Sequence, residues 1–128
     1  MKKFLLIPIV ALLSSSLQAQ DDVINDIRPS FKAGNAKEVS KYFNDIVEII
    51  IDGEKGSYSK TQGEFILKDF FRKYPPSDYQ KVHQGSSKEG LTFTIGKYIY
   101  SGGSYRVYIL IKQFRGNYLI DTVDFSKE

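Results

Sequence analysis

The sequence predicts an α+β domain in which helices pack on one face of an antiparallel sheet. Three observations predict this class. Apolar residues at helical spacing dominate the first half of the chain, period-two alternation dominates the second half, and short glycine-containing turns separate the alternating segments. Because strands joined by hairpins run antiparallel, we expect about four main antiparallel strands and a short N-terminal strand pair.

The first two elements are predicted to form a helical hairpin. Asp22 can cap a helix whose apolar residues recur every three or four positions. Pro29 removes one backbone donor inside it, so we expect a kink or an early end there. Gly34 suits the left-handed position just past a helix, and Asn35 then opens a second short helix. The residues expected on one face of that helix are Ala36, Val39 and Phe43.

A short strand pair follows the helical hairpin. The β-branched run over residues 46–51 predicts the first strand. A turn at Asp52 and Gly53 allows the chain to return as a short second strand over residues 57–59.

The third helix has the widest apolar stripe of the chain. Thr61 and Glu64 match the capping box that opens a helix. Its apolar residues are Phe65, Ile66, Leu67, Phe70, Phe71 and Tyr74. Pro75 and Pro76 end it, because neither proline suits a continuing helix. So wide a stripe implies that this helix packs deeply against the sheet.

The second half of the chain is predicted to form the main strands. The four alternating segments cover residues 79–87, 91–100, 105–112 and 118–125. Short turns with glycine separate them, which is typical of hairpins. Gly96 lies inside the second segment, where we expect a bend or a bulge.

The N-terminus predicts export. Lys2 and Lys3 precede an apolar run over residues 4–13, and a small residue, Ala19, stands at a suitable cleavage position. The apolar run is too short for a membrane-spanning helix, which needs about 20 residues. We therefore expect residues 1–19 to be a signal peptide and the protein to act in the periplasm or outside the cell. The alternative is an uncleaved N-terminal anchor.

The remaining residues, 20–128, are expected to form a single domain without stable membrane anchoring. The whole chain has 18 Lys and Arg against 15 Asp and Glu, and loss of Lys2 and Lys3 leaves 16 against 15. So small an excess argues against a nucleic-acid partner. The chain has no cysteine and one histidine, so we expect neither disulfides nor a metal site, and no motif indicates a cofactor.

The order of elements resembles a known superfamily. A helical hairpin with Ala33–Ala36 at its turn runs through Tyr42 and Phe43 into a strand that begins near Asp45, and an inserted helix and four antiparallel strands follow. Over residues 21–126 the chain is similar to the nuclear transport factor 2-like, or cystatin-like, superfamily, and more so to its short exported bacterial members of unknown function. The resemblance implies a curved sheet wrapped around helices as a cone, whose open end often holds a small molecule.

The same resemblance implies two weak catalytic candidates. Asp52 falls at or within one residue of the general base of ketosteroid isomerases in this superfamily. Ile27 stands where those enzymes carry a tyrosine donor, and Asp52 with Gly53 is also a common turn pair. His83, the only histidine, would be the proton shuttle of a dehydratase-like site, although its strand position also suits an exposed residue. These candidates support an alternative function as a small, cofactor-free lyase or isomerase.

The aromatic residues suggest a binding function instead. The candidate ligand-binding residues are Phe70, Tyr74, Tyr98, Tyr105 and Tyr118. The tyrosines among them can either rim a pocket or stabilise the sheet as cross-strand pairs. Tyr108 and Leu110 alternate with the residues expected to face the core, so they indicate an apolar outer sheet face and a possible dimer or partner interface.

The sequence therefore favours a non-enzymatic exported domain of unknown specific function that binds a small apolar ligand or a protein partner. Fold alone does not decide this, because the superfamily includes enzymes, binding domains and accessory modules. A dimeric accessory or scaffold module is the further alternative.

Overall fold

The computed structural model describes residues 22–87 and 89–128, and the predicted signal peptide lies outside them. Helix α1 covers residues 22–32 of this part. The other elements are α2 (Ala36–Ser40), β1 (Phe43–Ile51), β2 (Glu54–Ser59), α3 (Lys60–Lys73), β3 (Pro76–Ser86), β4 (Leu91–Tyr100), β5 (Gly103–Phe114) and β6 (Asn117–Lys127).

In the described part of the chain, six strands form one sheet in the order β2-β1-β6-β5-β4-β3. All neighbours run antiparallel except β1 and β6, which are parallel and pair Ile49 with Val123. The predicted α+β class, with a four-stranded antiparallel sheet and an N-terminal strand pair, is confirmed. The parallel pairing of β1 with β6 was not part of the prediction, and it joins the N-terminal strand pair to the four later strands.

Two tight turns have glycine at their second central position. Asp52 and Gly53, between β1 and β2, have φ angles of 51° and 86°. Arg115 and Gly116, between β5 and β6, have φ angles of 51° and 81°. Two successive residues with positive φ are the signature of the hairpin turn whose twist suits the flanking strands, and glycine at the second position makes it accessible.

The helical hairpin differs from its prediction at two positions. Helix α1 continues through Pro29, and the amide of Ala33 donates to the carbonyl of Pro29 at 3.0 Å. An early end at Pro29 was therefore wrong. Helix α2 is capped by Asn35 as expected, but Phe43 begins β1 instead of completing α2. The reason is long-range pairing, because the amide of Ile120 on β6 donates to the carbonyl of Tyr42 at 2.7 Å.

Helix α3 begins two residues earlier than predicted, because its N-cap is Ser59 and not Thr61. Its capping box is formed by Ser59 and Gln62: the Ser59 hydroxyl accepts from the Gln62 amide at 3.2 Å, and the Gln62 side chain accepts from the Ser59 amide at 3.1 Å. Thr61 is already inside the helix, so the predicted box of Thr61 and Glu64 was wrong. Glu64 accepts instead from the Ser40 hydroxyl at 3.1 Å, which ties α3 to α2.

The irregularity expected at Gly96 lies on the neighbouring strand. Lys81 pairs with Gly96 and His83 pairs with Ile95, so Val82 is the extra residue of a bulge in β3. Gly96 itself is needed for space, because a Cβ atom there would lie 2.1 Å from the Tyr79 hydroxyl oxygen. The aromatic ring of Tyr79 covers the glycine on the inner face of the sheet.

The two faces of β4 carry unexpected residue types. Its inner face, which is buried against the helices, carries Thr92, Thr94, Gly96, Tyr98 and Tyr100. The alternating apolar residues Leu91, Phe93 and Ile95 point to the outer face and are only half-buried. Small inner residues leave room for α1, whose Ile24 and Ile27 border a small cavity beside Thr94.

Candidate functional site

The site with the strongest case for binding is a cleft between the β1–β2 hairpin and α3. Its volume is about 260 Å³. The side chains that form its apolar walls and floor are Ile49, Ile51, Tyr58, Ile66, Phe70 and Tyr74. Four charged residues complete the lining, namely Glu54, Lys55, Asp69 and Lys73. We call this site the hairpin cleft.

Regular spacing brings these side chains together. Ile49 and Ile51 alternate on β1 and therefore share one face of the sheet. Ile66, Phe70 and Tyr74 are spaced four apart along α3 and its C-terminal cap, so they follow one stripe of the helix. The cleft is thus built by a strand face opposite a helix stripe.

Tyr58 forms a wall of the cleft because its neighbour on the same strand face is a glycine. A Cβ atom at Gly56 would lie 2.2 Å from the Tyr58 hydroxyl oxygen. The Tyr58 ring therefore folds back over Gly56 along β2. This arrangement leaves open the volume between the hairpin and α3.

Three of the four charged lining residues are in ion pairs, and the partner of Lys55 is Glu48, which lies outside the lining. Lys55 Nζ lies 3.6 Å from the carboxylate of Glu48, and Lys73 Nζ lies 3.1 Å from that of Asp69. Hydrogen bonds from Arg72 and then from Lys73 lower the pKa of Asp69 below its usual value, so this carboxylate stays ionised. Both lysines of the lining are therefore paired with a carboxylate.

The floor of the cleft is the top of an aromatic cluster that fills the space between helices and sheet. Phe70 is its centre, with ring centroids 5.1 Å from Tyr74, 5.4 Å from Tyr98, 5.1 Å from Tyr105 and 4.1 Å from Phe125. Tyr98 and Tyr105 are fully buried. The rings therefore occupy the interior, and the open volume on this side lies above them at the hairpin.

Hydrogen bonds hold the tyrosines of this cluster. Tyr105 donates to a carboxylate oxygen of Asp52 at 3.1 Å, and Tyr98 donates to the backbone carbonyl of Tyr74. Burial first, and then hydrogen bonding with Tyr74 and Asp52, raises the pKa of the Tyr105 hydroxyl. Tyr105 therefore remains a neutral donor and is not a source of phenolate at neutral pH.

Asp52 forms hydrogen bonds that connect its turn to the neighbouring strands. Its second carboxylate oxygen accepts from the amide of Lys127 at 3.2 Å, and its own amide donates to the carbonyl of Phe125 at 2.9 Å. Asp52 does not line the hairpin cleft. Both carboxylate oxygens are thus engaged with β5 and β6, an arrangement that fixes strand ends instead of presenting a base to a ligand.

His83 lies far from Asp52 in the sheet. It is exposed on β3, one edge strand, whereas Asp52 is in the turn before β2, the other edge strand. Its ring centroid is 5.7 Å from that of Phe93 on the outer face. The structure therefore does not bring the two catalytic candidates together, and neither of them lines the hairpin cleft.

The outer sheet face carries a second apolar feature. Tyr108 pairs with Ile95, and Leu110 pairs with Phe93, so four half-buried side chains adjoin across β4 and β5. The rings of Phe93 and Tyr108 are stacked at 5.8 Å. We call these four residues the outer-face cluster.

The structure separates the predicted ligand-binding residues. Phe70 and Tyr74 line the hairpin cleft, whereas Tyr98 and Tyr105 lie beneath it in the core. Tyr118 is half-buried near the start of β6 and is not part of the cleft lining. The apolar and aromatic lining residues that the sequence did not indicate as ligand-binding are Ile49, Ile51, Tyr58 and Ile66. The alternation of Ile49 and Ile51 was the signal available for two of them.

Two properties of the described residues bear on other site types. Within 22–87 and 89–128, no three His, Asp or Glu side chains are grouped so that they could hold a metal ion. No helix in this part of the chain is long and apolar enough to span a membrane.

The curved sheet, the helical hairpin and the inserted helix define a nuclear transport factor 2-like, or cystatin-like, domain. Structures of two proteins of unknown function show the same fold. One is a nuclear transport factor 2-like protein from Shewanella baltica, with a TM-score of 0.66, 9% identity and coverage of 90% of this chain and 95% of that one. The other has a cystatin-like fold and comes from Nostoc punctiforme, with a TM-score of 0.68, 8% identity and coverage of 89% and 78%.

The chain belongs to a family described as a domain of unknown function, DUF4783, whose model matches residues 24–126. A crystal structure of a member from Bacteroides ovatus is similar, with 29% identity, a TM-score of 0.77 and coverage of 80% of this chain and 93% of that one. A search of the curated proteins gave no significant match.

Proposed function

We propose that this protein is an exported, non-enzymatic binding domain that takes a small, mainly apolar molecule into the hairpin cleft. The observation that supports this most is the cleft itself, whose lining includes the apolar and aromatic side chains of Ile49, Phe70 and Tyr74. Both lysines of the lining are paired with carboxylates. Pockets of this kind bind ligands through apolar contact, with a few polar groups fixing orientation.

The size of the cleft narrows the ligand class. At about 260 Å³ it is just below the range of about 300–1,000 Å³ that is typical of sites for drug-sized molecules. A single or fused ring system fits this volume. Hydroxyl groups on Tyr58 and Tyr74 and the charged lining offer hydrogen bonds to one polar substituent. Because the N-terminal sequence is predicted to be a signal peptide, we propose that this binding takes place in the periplasm or outside the cell.

Filling the cleft is expected to weaken binding. We use indole as the probe, followed by amide chemical shifts in NMR, and compare the wild-type protein with Ile66→Trp. Ile66 faces the cleft, so a larger ring there should weaken indole binding by more than about tenfold, because the ligand loses its apolar burial.

The matched control is Phe65→Trp, which changes the adjacent residue of the same helix. Phe65 is exposed and does not line the hairpin cleft, so this variant should bind indole as the wild type does. Saturable shifts confined to cleft residues support the proposal. Absence of such shifts in the wild type, or equal binding by Ile66→Trp, would contradict it.

The outer-face cluster supports a second proposal, self-association through the sheet. Phe93, Ile95, Tyr108 and Leu110 lie side by side on a face that no helix of the described part covers. Adjoining apolar residues on an exposed face are typical of interaction surfaces. A two-fold dimer would bury the same cluster on both subunits.

A charge in the outer-face cluster should split this dimer. We expect light scattering to show a dimer for the wild type and a monomer for Leu110→Asp, because a buried unpaired carboxylate is strongly unfavourable. Phe65→Asp is the control, since it places the same charge on an exposed position of α3. A monomeric wild type would reject this second proposal and leave the hairpin-cleft proposal unaffected.

A further inference from the structure

Two hydroxyl groups in the core lack a hydrogen-bond partner among residues 22–87 and 89–128. They belong to Tyr79 and Thr94, whose residues are 2% and 3% exposed. Buried polar groups in native proteins are nearly always paired, either with protein atoms or with ordered water. Two unpaired hydroxyls in one region therefore indicate a bound polar molecule.

Register and sterics direct these two hydroxyls to the same place. Tyr79 pairs with Tyr98 of β4, and its ring extends along the inner face over Gly96. Thr94 is the next inner-face residue of β4 beyond Gly96. The Tyr79 hydroxyl thus points along the strand towards Thr94, although the two groups do not bond to each other.

A small cavity lies where these two side chains meet α1. Its volume is about 20 Å³. Its lining consists of Ile24, Ile27, Arg28, Tyr79, Lys81 and Thr94. A single water needs a cavity of about 10–15 Å³ or more, so this space suits one water and excludes a larger molecule.

We propose that this cavity holds one ordered water that bridges the hydroxyls of Tyr79 and Thr94. Each hydroxyl can donate and accept, so one water satisfies both. The bridge joins β3 to β4 directly beneath α1. Ile24 and Ile27 cover it, and Arg28 closes the same region by donating to the backbone carbonyl of Tyr79 at 3.2 Å.

The surroundings favour water over an ion. Burial raises the pKa of the Tyr79 hydroxyl, so this group stays neutral. Arg28 and Lys81 are exposed residues, and their charged ends can remain solvated while their aliphatic stems line the cavity. A small anion such as chloride is the competing occupant.

The direct test is a high-resolution crystal structure of the protein grown with bromide in place of chloride. We expect one density peak about 2.8 Å from each hydroxyl oxygen and no anomalous bromide signal there. An empty cavity would overturn the proposal, and so would an anomalous peak at this position.

A double-mutant cycle tests the bridge in solution. Tyr79→Phe and Thr94→Val should each lower the melting temperature, and the double variant should lose less than the sum of the two losses, because both groups share one water. Thr92→Val is the matched control. Thr92 is buried on the same face of β4 and has an interaction of its own, so its loss should add to that of Tyr79→Phe. Additive losses for Tyr79→Phe with Thr94→Val would overturn the bridge.

Discussion

Replacing Phe70 by alanine is expected to lower the free energy of unfolding by about 3–5 kcal/mol, the largest effect of any single change considered for this domain. Phe70 is 2% exposed and its ring contacts rings from α3, β4, β5 and β6. Its removal leaves a cavity beneath the hairpin cleft that rigid neighbouring rings cannot fill. Domains of this size have a total stability of about 5–15 kcal/mol, so the variant should be close to unfolding.

Urea denaturation of wild type and Phe70→Ala measures this loss. Phe65→Ala is the control within the same helix, because Phe65 is 65% exposed and its truncation should change stability by no more than about 0.5 kcal/mol. Similar losses for the two variants would show that the aromatic cluster is not the centre of the core.

Replacing Gly96 by alanine is expected to cost about 1–3 kcal/mol through overpacking. The added Cβ would lie 2.1 Å from Oη and 2.2 Å from Cζ of Tyr79. The Tyr79 ring cannot move aside easily, because it is buried and stacked on Phe31 with a centroid distance of 5.0 Å. Thermal and urea denaturation both measure the loss.

Gly56→Ala provides a control with nearly the same initial clash. Its Cβ would lie 2.2 Å from the hydroxyl oxygen of Tyr58, but Tyr58 is only half-buried on an edge strand and can swing away. We expect a change of no more than about 0.5 kcal/mol there. The cost of Gly96→Ala should also fall in a Tyr79→Leu background, since the two residues are in direct contact. Equal costs at both glycines would contradict this explanation of Gly96.

The parts of the fold that depend on local chemistry were predictable. The turn at Asp52 and Gly53 requires two successive positive φ angles, and that sequence supplies them at low cost. The cap at Asn35 and the end of α3 before Pro75 also follow from neighbouring residues alone. Each of these features is decided by groups a few positions apart.

Features decided by distant partners were harder to predict. The parallel pairing of β1 with β6 joins segments separated by most of the domain, and it draws Phe43 out of α2. Two overlapping capping boxes match the sequence around Ser59 and Thr61, and the hairpin partner Ile46 holds Ser59 at the strand end, so Ser59 becomes the cap.

The alternation of apolar and other residues in β4 predicted that they lie on two faces, but it did not indicate which face is buried. The larger residues Phe93 and Ile95 lie outside, because the inner face near α1 accommodates only Thr94, Gly96 and the Tyr79 ring that covers the glycine. Glycine is required at position 96 because the ring of Tyr79, on the neighbouring strand β3, packs directly over it. The sequence around Gly96 therefore indicated an irregularity but not its cause.

The same limit applies to the candidate site. Phe70 and Tyr74 were selected from the helix stripe and do line the hairpin cleft. Tyr98 and Tyr105 were chosen as residues that face inward. How deeply they lie could not be predicted, because it depends on the rings packed over them. The family resemblance gave the position of Asp52, whereas its hydrogen bonds to Tyr105 and Lys127 depend on this chain's own residues.

The most direct test of the binding proposal is a crystal structure of the protein purified from its native cells, combined with native mass spectrometry of the same sample. We predict a bound small molecule of ring-like shape between α3 and the β1–β2 hairpin, in contact with Ile66, Phe70 and Tyr74, and a matching mass that is absent from Ile66→Trp. A hairpin cleft that holds only solvent, with no added mass on the wild-type protein, would contradict the proposal.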